Sequence, residues 1–147
     1  MGKKYVNFQI GEGHYAIPLT EVSQIIRHEN VTDVPTALPY VEGVINIGGE
    51  VIPVVNLRSR FSLSAAEITR KNRVIIIQRQ DSRYGVLVDS VREILDLDEN
   101  SIAPEAASVF GMKAEFVRGI AKIRDNVLVL LDIFKVLSTA PEIPIKE

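Results

Sequence analysis

An internal repeat limits this chain more than any other feature, because self-similarity at a fixed shift means that one structural unit has been used twice. Residues 40–61, YVEGVINIGGEVIPVVNLRSRF, lie on residues 116–137, FVRGIAKIRDNVLVLLDIFKVL, without a gap. This shift of 76 positions places Tyr40 on Phe116, Gly43 on Gly119, Val44 on Ile120, Val51 on Val127, Val54 on Leu130 and Asn56 on Asp132. A shift of 69 lays residues 5–35 on residues 74–104, with Tyr15 on Tyr84, Ile17 on Val86, Val22 on Val91, Ile25 on Ile94 and Pro35 on Pro104. The difference between the shifts requires one short insertion, placed in 105–115 around Gly111. The chain reads as two copies of a β unit of about 70 residues each.

Within a copy, alternation and turn residues mark the strands. Tyr5–Ile10, the turn Gly11-Glu12-Gly13 and Tyr15–Leu19 form one hairpin, and Ile25–Ile26 leads into an extended segment ending at Pro35. Val44–Ile47, the turn Gly48-Gly49 and Val51–Leu57 form another. The second copy supplies Val74–Arg79, the turn Asp81-Ser82-Arg83 and Tyr84–Val88, then Gly119–Ile123, the turn Arg124-Asp125-Asn126 and Val127–Ile133. Leu57–Phe61 and Ile133–Ser138 each add a helical turn or two, and Ser64–Lys71 is a polar linker. The expectation is an all-β chain. Residues 1–140 form a single domain of two interleaved, pseudo-repeated, five-stranded SH3-like barrels packed side by side, and 141–147 form a flexible tail. Closed barrels protect strand edges. A unit this small gains from sharing a core with its neighbour, and the groove between the two is the expected binding place.

Composition removes most other classes. With 147 residues, a formal charge of −2 and 46% hydrophobic residues, the chain has material for a core and lacks the basic footprint of a nucleic-acid binder. Val and Ile make up about a quarter of it and favour strands. Without Cys there is no disulfide or thiolate site, and two histidines, His14 and His28, are too few for a histidine metal cage. No apolar run approaches a bilayer span, and the N-terminus has neither a signal core nor a myristoylation pattern. A soluble cytoplasmic protein is the expectation.

The motifs that imitate chemistry have plainer readings. Asp96-Leu97-Asp98-Glu99-Asn100 opens like a calcium loop, but Ser101 stands where the sharp turn needs Gly, and Ala107 where the bidentate ligand needs Glu. Arg70, Lys71, Arg73, Arg79 and Arg83 surround the apolar Val74–Ile77 and guard it against aggregation. Gly11-Glu12-Gly13 and Gly48-Gly49 read as hairpin turns rather than phosphate loops. Asp89 and Glu93 are the nearest approach to an acid–base pair, and no nucleophile has an evident base. No catalytic residue, cofactor or metal site is expected. Asn30-Val31-Thr32 matches a glycosylation sequon, which has no role in the cytoplasm.

Pro39-Tyr40-Val41-Glu42-Gly43-Val44-Ile45-Asn46, followed by Val51-Ile52-Pro53-Val54-Val55-Asn56-Leu57-Arg58 and Phe61, resembles the CheW-like family of bacterial chemotaxis coupling proteins. So do Phe8-x-Ile10-Gly11, Tyr15-x-Ile17, Val22-x-x-Ile25, Gly85-x-Leu87-Val88-Asp89-x-Val91 and the closing Gly119…Asp132, so the likeness runs from about Tyr5 to Leu137. It implies two five-stranded barrels and a non-enzymatic adaptor that links the cytoplasmic tips of chemoreceptors to the regulatory domain of the histidine kinase CheA in extended arrays. By motif position it implies receptor contacts at Val22, Gln24, Ile25, Gly48, Val74 and Ile75, and kinase contacts at Val31, Gly43 and Val51. The apolar members read equally as core, because a one-residue slip of a strand reverses its faces.

Three positions depart from the family pattern. Its Asn-Leu-Arg-Gly turn is here Asn46-Ile47-Gly48-Gly49, its acidic residue near the groove is Gln24, and its Asp before Leu-Arg is Asn56. Gly cannot replace Arg in a hydrogen-bonding role. Losing both members of a charge pair costs less than losing one, so the changes at Gly48 and Gln24 are expected to compensate. The expected protein is a scaffold, monomeric in isolation, that spans one complete CheW-like unit. Its partners are a chemoreceptor tip and a CheA-type regulatory domain, with no nucleic acid and no membrane insertion. The rivals are an adaptor for another two-component pathway such as surface motility, a small-ligand barrel, and an enzyme.

Overall fold

The computed structural model of the chain describes residues 2–35, 40–61, 63–64, 66–103 and 116–138. The insertion expected in 105–115 and the tail at 141–147 lie outside them. The described residues form β1 (Gly2–Ile10), β2 (Gly13–Pro18), β3 (Val22–Arg27), β4 (Val41–Ile47), β5 (Glu50–Asn56), α1 (Leu57–Arg60), β6 (Arg73–Arg79), β7 (Ser82–Val88), β8 (Ser90–Asp98), β9 (Ile102–Ala103), β10 (Val117–Ile123), β11 (Asn126–Leu131) and α2 (Ile133–Ser138). Short 3-10 turns occupy Leu19–Glu21, His28–Asn30 and Glu99–Ser101. No helix among the described residues is long and apolar enough to cross a membrane.

The strands form two sheets, ordered β8-β1-β2-β11-β10-β9 and β3-β6-β7-β5-β4. Two shifts in sequence turn one order into the other, since β1, β2 and β3 correspond to β6, β7 and β8, and β4 and β5 to β10 and β11. The first sheet has six strands rather than the expected five, because Ile102 and Ala103 pair with Ala121 and Ile120. The second sheet holds a single bridge in the matching place, Thr32 to Val44. β8 carries Arg92, Glu93, Asp96 and Asp98, which interrupt its apolar pattern. It is an edge strand, where charged residues discourage unwanted pairing.

Two compact units result, one from the described residues of 1–20 and 92–140, the other from residues 21–91. Neither is a sequence copy. Each takes its first hairpin from one copy and its edge strand and second hairpin from the other. Parallel pairs join the contributions, Val54 with Gly85 between β5 and β7 and Leu130 with Ala16 between β11 and β2. At the link between β7 and β8, length explains the exchange. Only Asp89 separates β7 from β8, and two residue steps reach at most about 7 Å. For β8 to pair with β6 of its own copy, the chain would have to pass around that strand and back along it, about 14 Å by strand spacing and rise.

In the second unit Ile45, Ile52, Val54, Val74, Ile76 and Leu87 form one core cluster. Val55, Ile75, Ile77, Val86 and Val88, on the opposite faces of the same strands, are buried as well. That is why β6 reads as an unbroken apolar run instead of an alternating one. The first unit has the matching cluster of Tyr5, Ala16, Leu97, Ala121, Leu128 and Leu130. Val44 exchanges backbone hydrogen bonds with Thr32, so it and its cross-strand partner Pro53 direct their backbone polar groups away from each other. Pro53 therefore removes no β4–β5 ladder bond.

The hairpin turns keep one geometry with different residues. Gly11 and Gly48 open theirs at φ 59° and 58°, and in the second copy Gln80 and Arg124 hold φ 55° and 56°. The β6–β7 turn is thus Gln80-Asp81, shorter than expected, with Ser82 and Arg83 already in β7. A left-handed conformation costs a residue with a side chain about 1 kcal/mol, a strain the flanking ladders hold.

Candidate functional site

The edge strand β3 carries Val22, Gln24 and Ile25, and it pairs with β6 so that Ile25 faces Ile75 and Ile26 faces Val74. The expected receptor-contact residues of the two strands are therefore neighbours, but in different states. Gln24 is exposed and Ile25 keeps 39% of its surface open, whereas Val74 and Ile75 keep 0%. Wholly buried side chains offer no contact area. Val74 and Ile75 belong to the core that supports β3, and β3 alone presents the face. Gly48 lies at the β4–β5 turn, where among the described residues no heavy atom would come within 4 Å of an added Cβ.

The expected kinase contacts lie along β4 and β5. A Cβ at Gly43 would collide with the carbonyl oxygen of Thr32, and it would sit 3.1 Å from Cγ1 of Val31. Gly43 is thus a point of close backbone approach, and Val31 packs partly against the core. Val51 is the open member, with 52% of its surface exposed.

Bulges aim several polar side chains. The β4–β5 register shifts between Val41 and Gly43, which leaves Glu42 as the extra residue; such a bulge redirects its side chain. Glu42 Oε1 accepts from Asn56 Nδ2 at 3.1 Å, and Oε2 lies 3.0 Å from His28 Nε2. Asn56 Oδ1 also accepts from the Ser59 N–H at 3.3 Å and caps α1. This accounts for Asn56: an aspartate there would set a carboxylate against Glu42, while an amide donates to it.

Arg58 and Asp89 stand in motifs read from the sequence, but their pairing was not legible there. Arg58 Nε and Nη2 donate to the two Asp89 oxygens at 3.1 and 2.8 Å, and Nη1 donates to the Ser64 carbonyl at 2.7 Å. The hydrogen bond to Asp89 pushes the Arg58 pKa above its ordinary value, its charge adding to the shift and desolvation opposing it. The bidentate fork ties the first turn of α1 to the residue that follows β7. Glu93 lies 3.8 Å from Arg124, so Asp89 and Glu93 each face a different cation instead of each other.

Arg83, one of the charges around the apolar β6 run, has specific partners. Its Nη1 donates to Glu50 Oε1 at 2.8 Å and its Nη2 to Ser23 Oγ at 3.4 Å. In the calcium-like segment, Asp96 pairs with Lys4 at 3.3 Å and Asp98 accepts from the Asn100 N–H at 3.1 Å, while Leu97 is buried. Among the described residues, no group of three or more His, Cys, Asp or Glu side chains could hold a metal ion. What the face offers is apolar surface on strand edges framed by tied charges, which suits protein docking.

The CheW-like domain pattern matches residues 4–140. The chain is 34% identical over 136 residues to the chemotaxis protein CheW of Bacillus subtilis (strain 168), covering 92% of this chain and 87% of that protein. It is 30% identical over 138 residues to the chemotaxis protein CheW of Treponema pallidum (strain Nichols), covering 91% and 81%. Among solved structures it resembles the scaffolding protein TtCheW of Thermoanaerobacter tengcongensis, with a TM-score of 0.85 and 31% identity over 100% of this chain and 92% of that one. The repeat, the paired sheets and these likenesses agree: the chain belongs to the CheW-like family.

Proposed function

We propose that this protein is a non-enzymatic chemotaxis adaptor in the cytoplasm that couples chemoreceptor tips to the regulatory domain of a CheA-type histidine kinase. Its β3 edge, with Val22, Gln24 and Ile25 beside the Gly48 turn, takes the receptor. Val51 takes the kinase, with the half-buried Val31 beside it and Gly43 setting the close backbone approach beneath. The observation that carries this reading is the exposure of Ile25 and Val51, large apolar residues left open at family motif positions in a well-filled sheet. Contacts of this size are individually weak and gain strength in an array, where each bound partner raises the effective concentration of the next.

Titration calorimetry against the regulatory domain of each CheA-like kinase of the same genome, and against receptor-tip fragments, tests the reading. Saturable binding near one to one is expected, with Val51→Asp weakening the kinase and Ile25→Asp the receptor, each about tenfold or more. Binding only to a kinase outside chemotaxis would replace the reading with an adaptor of another two-component pathway. Absence of binding by the folded protein would end it.

A further inference from the structure

We propose that Arg83 is a positioning residue that holds the β3 contact edge and the β4–β5 hairpin in one arrangement, replacing the arginine that Gly48 lacks; the inference rests on the adaptor reading. In the first unit, Arg124 at the β10–β11 turn lies 3.8 Å from Glu93 on β8. The two sequence shifts map Arg124 to Gly48 and Glu93 to Gln24. In the first unit, then, an ion pair reaches from the turn to the edge strand, and the second unit has lost both of its members.

In the second unit the link comes from β7 instead. Arg83 grips Glu50, the first residue of β5 after the Gly48-Gly49 turn, and Ser23 on β3. Ser23 is the extra residue where the β3–β6 register shifts between Val22 and Gln24. A bulge residue lacks its share of the ladder, so a side-chain bond there sets how the edge is aimed. The first-unit counterparts of Arg83, Glu50 and Ser23 are His14, Asn126 and Arg92, a set without a carboxylate. The tie has moved to other residues while its two ends stay the same. Its arginine has also gained burial, since the Arg83 side chain is 21% exposed and that of Arg124 74%, while the carboxylate partners are alike at 49% and 42%. A less solvated pair is screened less, and the planar guanidinium fixes two partners at once. Glu50 precedes Val51, and Ser23 lies between Val22 and Gln24, so Arg83 joins the proposed kinase and receptor contacts through one side chain.

The test compares the wild type, Arg83→Gln, and Arg83→Gln combined with Gln24→Glu and Gly48→Arg, which installs the first unit's pair in the second. Gly48 has open space for a side chain, and Arg124 already adopts the matching backbone angle at φ 56°. Affinities for a receptor-tip fragment and a kinase regulatory domain are measured by calorimetry, and backbone amide exchange is followed in 22–25 and 48–51. In Arg83→Gln both dissociation constants are expected to rise about fivefold, and these amides to exchange about tenfold faster while the strand centres stay unchanged. The triple variant is expected to restore both readouts. Unchanged exchange and unchanged affinities in Arg83→Gln would overturn the inference and leave the adaptor reading standing. Weaker binding without faster exchange would make Arg83 a direct partner contact, which also overturns it. Faster local exchange, restored by the triple variant, in a protein that binds neither partner would support the positioning role and remove the adaptor reading instead.

Discussion

At the bulge of β10 the first unit has Arg118, 3.8 Å from Asp132, which accepts from the Lys135 N–H at the start of α2. At the same two places the second unit has Glu42 and Asn56, joined by a hydrogen bond of 3.1 Å, and Asn56 caps α1 in the same way. The backbone around both pairs is alike, with the Asn56 N–H donating to the Tyr40 carbonyl and the Asp132 N–H to that of Phe116. The charge has changed hands across the strands, yet bulge, cap and ladder persist. Apolar pattern, glycine and cap specify the architecture of each unit. Polar partners are free to change as long as they change together, because one partner left alone and half-buried costs more than the pair contributes.

The largest expected effect tests the glycine skeleton. Gly43 and Gly119 are equivalent, and both sit where another segment crosses close to the strand. At Gly43 the obstacle to a Cβ is the Thr32 carbonyl, a backbone atom held by hydrogen bonds to Val44 in both directions. At Gly119 the nearest atom is Ile102 Cγ2 at 2.6 Å, ahead of the Ala103 carbonyl at 2.9 Å. Gly43→Ala is therefore expected to cost about 3 kcal/mol in urea unfolding and Gly119→Ala roughly half as much, since a side chain gives way more easily than a bonded carbonyl. Equal losses would mean that the short β9 is as rigid as the Thr32 bridge, and the contrast between six and five strands would lose its energetic meaning.

A middle-sized effect is expected at the exchanged polar pair. Asn56→Asp restores the residue type of Asp132 but sets it against Glu42, so at neutral pH it is expected to cost about 1–2 kcal/mol of stability. Adding Glu42→Arg recreates the Arg118–Asp132 combination and is expected to recover at least half of that, less what the His28 contact supplied. Thermal melts of the two variants decide it. If the single change is harmless, Asn56 is simply a cap and Glu42 does not select it.

The legible part of this molecule is what the apolar pattern carries. The hairpins and both short helices follow from spacing and turn residues. The exchange of hairpins between copies does not, because an alignment says which residues are alike and not which ones meet; the information lies in the single-residue link at Asp89, whose meaning depends on distances. Val74 and Ile75 could not be assigned to core or surface, since the run Val74-Ile75-Ile76-Ile77 has no alternation to reveal a face. The Arg83 tie spans 33 residues to Glu50 and 60 to Ser23, separations at which local pattern reports nothing. The departures at Gly48, Gln24 and Asn56 were visible from sequence, and only the equivalent positions of the other unit show what each one replaces.

The smallest expected effect lies at the far end of the β3 edge. In the first unit Lys4 and Asp96 form an ion pair of 3.3 Å, and their counterparts Arg73 and Arg27 stand directly opposite each other across β6 and β3. Like charges facing across strands repel. Arg27→Asp should turn that repulsion into the first unit's attraction, with a gain of about 0.5 kcal/mol for so exposed a pair. The Arg73 guanidinium is already engaged, however, donating from Nη1 to the carbonyls of Arg70 at 2.6 Å and Asn72 at 2.8 Å. To meet an aspartate at position 27 it would have to give up part of that grip. The gain is therefore expected to be largest in low salt and to fade by physiological ionic strength, where screening acts over about 8 Å. A denaturation series across salt concentrations separates the two influences. A gain that persists in high salt would mean that a close pair has formed and that the carbonyl contacts were worth little. No gain at any ionic strength would mean that those two carbonyls had already neutralised the repulsion, a local answer that the first unit, with Lys4 facing Asp96, never needed.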